Sequence, residues 1–453
     1  MDRLYDLPGL GTLAKIARVK RNLAEIRRKL RATAPELAEL RTAALRSVCL
    51  HAFRRSPFYR ELWSAASLRE ADLSALRDPS ALPVVSKEQL RSAWPHGLCA
   101  DPVTLRRAHA IRTTGSTGTP VRVALDREKV LFTIALFSRP SMEMHLGLRL
   151  GRGLHVMVRS PQAIEGQALR EFPAAEESFL DALSPVDVLI EELNRRRPQY
   201  VLSYPGIVGA IAAEARRRGV ALWQPEHLVF SGESLTARAV ASIRRSFPDA
   251  VFAQAYCATE VGGIAVQCHE GKGLHTLEYQ TVVEVLDDGD RPAAPGVTGR
   301  IVVTDLRNRV TPVIRYAGLA DLGAWAEERC ACPLAAFPLL GRLDGRAAEA
   351  VRVPGGPIVH QFVLTSALER LGEVAAFQVR HETATRVRLL LVPEPAAGEA
   401  RREALRAEGA ERLRPLLPGM TIEVELVAEL AREPGSHKTP AVVSLVPATE
   451  SPG

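Results

Sequence analysis

The chain has no run of about 18 consecutive apolar residues, so its sequence predicts no membrane-spanning helix and no membrane partner. Its first ten residues carry Asp2 and Asp6 and lack an apolar signal-peptide core. No secretory signal is expected, and the cytoplasm is the expected compartment. Cysteine is sparse, with six residues among 453: Cys49, Cys99, Cys257, Cys268, Cys330 and Cys332. That number in a long chain without a signal excludes a disulfide scaffold. Internal repeats and long low-complexity tracts are missing too. A basic stretch interleaved with aromatics is also lacking. The formal net charge of +7 is spread along the chain, with arginine far outnumbering lysine. The basic segment 18–31 reads as the solvated face of an amphipathic helix, and no nucleic-acid partner is expected.

Hydrophobic residues make up 46% and charged residues 25%, an ordinary globular composition. At 453 residues the chain is long enough for at least two cores. The first 55 residues read as helical. Ser86 with Gln89 three residues on predicts a capped helix. From about 105 onward, strands and helices alternate. Strands are expected at 121–124, 154–158, 200–203, 228–231 and 251–254. Helices are expected at 128–137, 186–196, 208–217 and 237–245. Such alternation predicts βαβ units and a mainly parallel sheet. Residues 281–326 switch to β-rich patterning with Gly/Pro turns. The tail predicts helices at 362–370 and 402–412, and strands at 375–379, 387–392, 422–427 and 442–446. It reads as a small α+β domain of about 110 residues. The fold class is therefore α/β: a large N-terminal domain over 1–341, with mainly parallel sheets and a β-rich subdomain, and a small α+β domain over 342–453.

The clearest local signal is Arg112-Thr113-Thr114-Gly115-Ser116-Thr117-Gly118-Thr119-Pro120. Its glycines let backbone N–H groups turn toward an anion, and its hydroxyls donate to phosphate oxygens. It is no Walker A loop, because no Gly-Lys-Ser/Thr follows. The other reading of the segment by itself is a polar Gly/Ser/Thr loop with no ligand.

This loop resembles the phosphate-binding loop of the acyl-adenylating superfamily, in particular its phenylacetate–coenzyme A ligase-like branch. Thr119 stands where that family usually has lysine. Further segments resemble the family's motifs in the family's order. Leu202-Ser203-Tyr204-Pro205 resembles the stretch bordering the acyl pocket, and Ser231-Gly232-Glu233 the turn whose backbone lines the adenine site. Tyr256-Cys257-Ala258-Thr259-Glu260 resembles Tyr-Gly-x-Thr/Ser-Glu, with Cys257 at the glycine position. The resemblance implies that Tyr256 packs on adenine, Thr259 contacts the α-phosphate and Glu260 binds Mg²⁺. An aromatic face, a hydroxyl and a carboxylate suit those tasks. Pro312-Val313-Ile314-Arg315-Tyr316-Ala317-Gly318-Leu319-Ala320-Asp321 resembles the motif whose Asp holds the ribose, with one extra residue before Asp321. Gly341-Arg342-Leu343-Asp344-Gly345 resembles the interdomain hinge, which implies a mobile C-terminal domain and an Arg342 close to the nucleotide. Pro434-Gly435-Ser436-His437-Lys438 resembles the C-terminal loop whose lysine bridges carboxylate and α-phosphate. The acid would lie near Tyr204, Gln254 and Ala255.

The resemblance therefore implies ATP and Mg²⁺ as cofactors. The implied reaction makes acyl-AMP from a carboxylic acid, an aryl acid among the candidates, and transfers the acyl group to coenzyme A or a carrier protein. Transfer to an amine, giving an amide, stays open, as does a degenerate adenylation fold that only binds. A homodimer is an open assembly. Finally, Cys268, His275, Cys330 and Cys332 have the residue types of a structural zinc site, and some members of the branch carry a similar arrangement. His269 competes with His275 for the imidazole position, and four reduced residues without metal remain the alternative.

Overall fold

The computed structural model describes residues 10–99, 101–112, 121–149, 153–159, 179–182, 184–233, 235, 237–346, 350–354, 358–368, 371–394, 397–430 and 441–446. The described part of the first 55 residues is helical as expected, in Leu10–Lys29 and Ala34–Arg55. Helix Lys87–Ser92 starts on the predicted capping box, with the Ser86 hydroxyl accepting from the Gln89 N–H. A two-stranded hairpin follows, β1 (His109–Arg112) with β2 (Arg122–Leu125), whose ends join the segment 113–120. That phosphate-loop segment lies outside the described residues.

The centre of the chain is one eleven-stranded mixed sheet. Its parallel half contains β3 (His155–Arg159), β4 (Phe179–Asp181), β5 (Tyr200–Ser203), β6 (His227–Ser231) and β7 (Val251–Ala258). Every residue of β5 and of β6 is buried, as expected for strands covered on both faces. Helix Pro205–Arg218 crosses between β5 and β6 and stops on Gly219, in the left-handed conformation that glycine adopts without steric cost. The other half is antiparallel: β8 (Gly262–Gln267), β9 (Leu274–Thr276), β10 (Thr281–Leu286), β11 (Gly299–Asp305), β12 (Asp321–Trp325) and β13 (Leu339–Arg346). The sheet is thus parallel on one side of β7 and antiparallel on the other.

Two sequence expectations differ from the structure in extent. The strand read at 251–254 continues to Ala258, and its hairpin partner β8 was not expected. Two glycines, Gly262 and Gly263, open β8 and hide its strand character, and the β7–β8 pairing supplies what propensity lacks. The segment 341–345 lies within β13, paired to β12.

The tail folds as an α+β unit around its own core. A four-stranded sheet joins β14 (Val374–Thr383), β15 (Arg386–Pro393), β16 (Thr421–Leu426) and β17 (Val442–Ser444). Helices Gln361–Leu368 and Glu399–Leu413 contribute Leu364, Leu368, Leu405 and Leu413 to that core. Residues 431–440, and so Lys438, lie outside the described residues. No described helix is long and apolar enough to cross a membrane.

Candidate active site and metal centre

Ligand sites in α/β sheets form beyond the carboxyl ends of parallel strands. Strands β3, β5, β6 and β7 deliver Arg159, Tyr204, Ser231 with Gly232, and Thr259 with Glu260 to that edge. Gly232 has φ +82°, and a Cβ there would come within 2.8 Å of the Tyr204 ring, so glycine lets strand end and ring approach. The Arg159 guanidinium stacks over the Tyr204 ring at 4.1 Å and donates to the Ser231 carbonyl at 3.1 Å. Glu233 accepts from the Gly206 N–H at 2.8 Å, tying the end of β6 to the helix after Tyr204.

Tyr256 lies inside β7, buried, and donates its hydroxyl to Asp321 Oδ2 at 2.6 Å. Cys257 occupies extended strand next to a bulge, so no glycine conformation is needed at this position. Gln254 and Ala255 precede Tyr256 in the same strand, Ala255 buried and Gln254 half-buried. The extra residue before Asp321 is absorbed in a turn: Ala320 takes φ 57° and donates its N–H to the Ala317 carbonyl at 3.1 Å. Asp321 then opens β12 opposite Tyr256.

Glu260 is 6% exposed, with Tyr316 Oη 3.4 Å from its Oε1. Tyr316 itself is fully buried, and burial followed by the Glu260 charge holds its phenol far above the ordinary range. Gly318 packs directly on this ring, since a Cβ there would lie 2.3 Å from Tyr316 Cζ. Arg315 is spoken for structurally, paired with Glu284 at 3.2 Å and donating to the Leu82 carbonyl. Burial raises the Glu284 carboxyl, and Arg315 opposes that rise. Arg342 pairs with Asp344 at 2.9 Å and reaches Gly296 and Thr298, all within the antiparallel half. The structure thus brings Tyr256, Asp321, Glu260 and the strand ends at Tyr204 and Gly232 to one edge. The residues 113–118 and Lys438 fall outside the described parts.

The cysteine cluster is built from two connections that meet in space. The donor atoms of Cys268, His275, Cys330 and Cys332 all lie within 4.8 Å of one another. Cys330 and Cys332 Sγ are 3.1 and 3.2 Å from His275 Nε2, and Cys332 Sγ is 3.9 Å from Cys268 Sγ. Tetrahedral zinc with three thiolates and an imidazole needs donor separations of about 3.5–3.8 Å, and these contacts, with Cys330 Sγ to Cys332 Sγ at 3.5 Å, lie within about half an ångström of that range. The other ring nitrogen, His275 Nδ1, is 3.0 Å from the Phe337 carbonyl, the outer contact that orients a ligating histidine. Burial lowers the His275 pKa and keeps its ring neutral at pH 7, the ligating form. Burial opposes ionisation of the Cys268 thiol, yet N–H bonds from Glu270 and Lys272 bring its pKa below the usual cysteine value. His269 is not part of the set, because its Nε2 lies 2.9 Å from the His145 carbonyl. His145, raised by no charge partner and fully buried between Ser141 and Tyr279, was not singled out in the sequence. Its pKa is pushed down to about 4 by burial.

A mixed sheet of this order, followed by a small α+β tail, is the fold of the adenylate-forming ligases. Comparison with known proteins bears this out. The phenylacetate–coenzyme A ligase of Thermus thermophilus is 28% identical over 334 residues, covering 68% of this chain and 71% of that enzyme. The enzyme of the same name from Pseudomonas putida is 24% identical over 324 residues, covering 67% of this chain and 69% of its own length. Among solved structures, a 2-hydroxyisobutyryl-CoA ligase in the postadenylation state with 2-HIB-AMP superposes with a TM-score of 0.77 at 21% identity, over 92% of this chain and 91% of that one. No family model matches the chain. The chain is thus similar in sequence to phenylacetate–coenzyme A ligases and shares its fold with a 2-hydroxyisobutyryl-CoA ligase.

Proposed function

We propose that the protein is an AMP-forming carboxylate ligase that activates a carboxylic acid with ATP and passes the acyl group to coenzyme A. The observation that carries this reading is the Tyr256–Asp321 pair at 2.6 Å with the buried Glu260, beyond the carboxyl ends of the parallel strands. In this reading the face of Tyr256 and the backbone of Ser231-Gly232-Glu233 border the adenine, while Asp321 accepts the ribose hydroxyls. Thr259 donates to the α-phosphate, and Glu260 holds Mg²⁺, a hard cation suited to carboxylate oxygen. When bound, Mg²⁺ offsets the charge that develops on the phosphates. The loop Thr113, Thr114, Gly115, Ser116, Thr117 and Gly118 supplies phosphate donors, and Lys438 the cation between carboxylate and α-phosphate. Tyr204, Gln254 and Ala255 line the acid. Arg342 sits at the division near 341/342 between the large unit and the α+β tail, and the tail swings about it between half-reactions.

Thioester formation is favoured over amide formation because the curated relatives at 24–28% identity are coenzyme A ligases. Mass spectrometry of products from ATP, an acid panel and either coenzyme A, a carrier protein or amines tests this. Acyl-CoA with AMP is the expected outcome, and amide as the sole product would overturn it. Cys268, His275, Cys330 and Cys332 hold a structural zinc that ties the β8–β9 connection to the β12–β13 connection. A cytoplasmic location and a homodimer complete the reading.

A further inference from the structure

The residues Thr259, Glu260 and Val261 form the three-residue link between β7 and β8. The link closes through the Val261 N–H to the Ala258 carbonyl at 3.3 Å and Gly262 at φ +83°. Its far side is held at one atom. The Val261 carbonyl oxygen accepts from Lys129 Nζ at 2.8 Å and from Gln280 Nε2 at 2.8 Å. Two donors on one carbonyl occupy both lone pairs and fix the Val261–Gly262 peptide plane, the second peptide after Glu260.

Lys129 lies in helix Arg127–Leu136, far from this loop in sequence. Its ammonium also meets Asp305, at 2.9 Å to Oδ1 and 2.8 Å to Oδ2, and both side chains are 0% exposed. Asp305 is fixed in turn by the N–H groups of Arg307 at 2.9 Å and Asn308 at 3.4 Å. Gln280 is fully buried, and its neighbour Thr281 donates to the Gly263 carbonyl at 3.0 Å. Two separate segments therefore converge on one backbone atom of the loop, and a third, the end of β11, holds one of the two donors through Asp305. A buried ion pair adds little net stability, because desolvation offsets its Coulomb attraction. What this pair supplies is a fixed position.

We infer that Lys129 and Gln280 are positioning residues that aim the Glu260 carboxylate at the metal of the nucleotide site, by clamping the Val261 carbonyl, with Asp305 as the counter-ion that lets Lys129 stay buried. The inference rests on the reading of Glu260 as the Mg²⁺ ligand. Outer-shell groups of this kind are worth roughly 10–100-fold in metal affinity or activity.

The test uses the full chain in an acid-dependent pyrophosphate-exchange assay, titrated with Mg²⁺ at constant nucleotide. The double variant Lys129→Met/Asp305→Leu removes both charges together and leaves neither unpaired. Gln280→Leu removes the second donor alone. The expected result is a rise in half-saturating Mg²⁺ of about 10–100-fold in the double variant, a smaller rise in Gln280→Leu, and a KM for the acid within about two-fold of the parent. A fall in melting temperature with half-saturating Mg²⁺ unchanged would mean a purely structural clamp and would overturn the inference. If the double variant fails to fold, Gln280→Leu decides the matter by the same criterion. Glu260→Gln run in parallel separates the two readings. Should it raise half-saturating Mg²⁺ while the clamp variants do not, the clamp is wrong and the metal ligand stands. Should Glu260→Gln leave it unchanged, the metal reading fails and takes the clamp with it.

Discussion

Replacing Cys330 with serine removes one of four donors whose separations suit tetrahedral zinc. The wild-type chain is expected to purify with one zinc, quantified by inductively coupled plasma mass spectrometry. The size of the effect follows from linkage. A metal present at about a thousand times its dissociation constant stabilises the folded state by about 4.1 kcal/mol. Most of that is lost when a thiolate ligand is replaced. At about 2.1 cal/mol/K of unfolding entropy per residue over 453 residues, about 4 kcal/mol corresponds to a drop in melting temperature of roughly 4 °C. The loss is local in origin: Leu334 and Phe337, which follow the Cys330-x-Cys332 pair, are 3% exposed and pack in the core that includes Cys268 and Tyr279. Losing the metal loosens that segment and the His275–Phe337 contact with it. Calorimetry of the parent with and without 1,10-phenanthroline should reproduce the same drop. Cys99→Ser, a buried cysteine outside the cluster, should keep its zinc. The pH dependence has a defined sign. Burial pushes the Cys332 thiol up to about 11, so its deprotonation at neutral pH depends on the metal, and acid competes with the ion. Zinc and its stabilisation are retained at neutral pH and lost as pH falls. Protein that carries no zinc, together with a Cys330→Ser melting temperature equal to the parent's, would refute the reasoning.

Three further outcomes are expected. Asp321→Asn weakens charge-assisted bonds to Tyr256 and to the proposed ribose hydroxyls, each worth about 1.5–3 kcal/mol, so steady-state kinetics should show KM for ATP rising roughly 10–100-fold. Gly318→Ala forces a Cβ into the Tyr316 ring, and overpacking of this kind costs about 1–3 kcal/mol, read as a lower urea midpoint together with a lower kcat. Glu25 accepts from Lys29 at 2.7 Å and Arg307 at 2.6 Å, and although burial opposes ionisation, these cations bring its carboxyl from 4.5 down to about 2. A depressed carboxylate stabilises the fold above its unfolded pKa and loses that effect as pH falls through the folded value. Glu25→Gln should therefore be less stable than the parent by roughly 1–3 kcal/mol at pH 7, and urea titrations should show the gap closing between about pH 4.5 and 2.

The parallel half of the sheet was legible because β5 and β6 are short, continuous apolar runs between helical segments, a pattern that few folds other than βαβ units produce. The tail was legible for the same reason, since its strands and helices are separated by clear turns. The β7–β8 hairpin was not, because its second strand begins with two glycines and depends on cross-strand pairing for its character. At the site, the motif resemblance pointed to Tyr256, Glu260 and Asp321, and the fold supplies the Tyr256–Asp321 contact that sequence order alone does not contain. The choice between His269 and His275 needed three dimensions: only the direction of each ring distinguishes a metal ligand from a partner of the His145 carbonyl. The Lys129–Asp305 pair left no trace in the sequence, because 176 residues separate its members.

The central claim is that this edge of the sheet joins a carboxylic acid to AMP. The most direct measurement is exchange of labelled pyrophosphate into ATP, with Mg²⁺ and no thiol or amine acceptor, across a panel of aryl and aliphatic acids. Exchange is expected to depend on at least one added acid and to fall in Glu260→Gln at Mg²⁺ that saturates the parent, recovering as Mg²⁺ is raised. Absence of exchange with every acid, from folded protein supplied with ATP and Mg²⁺, would contradict it.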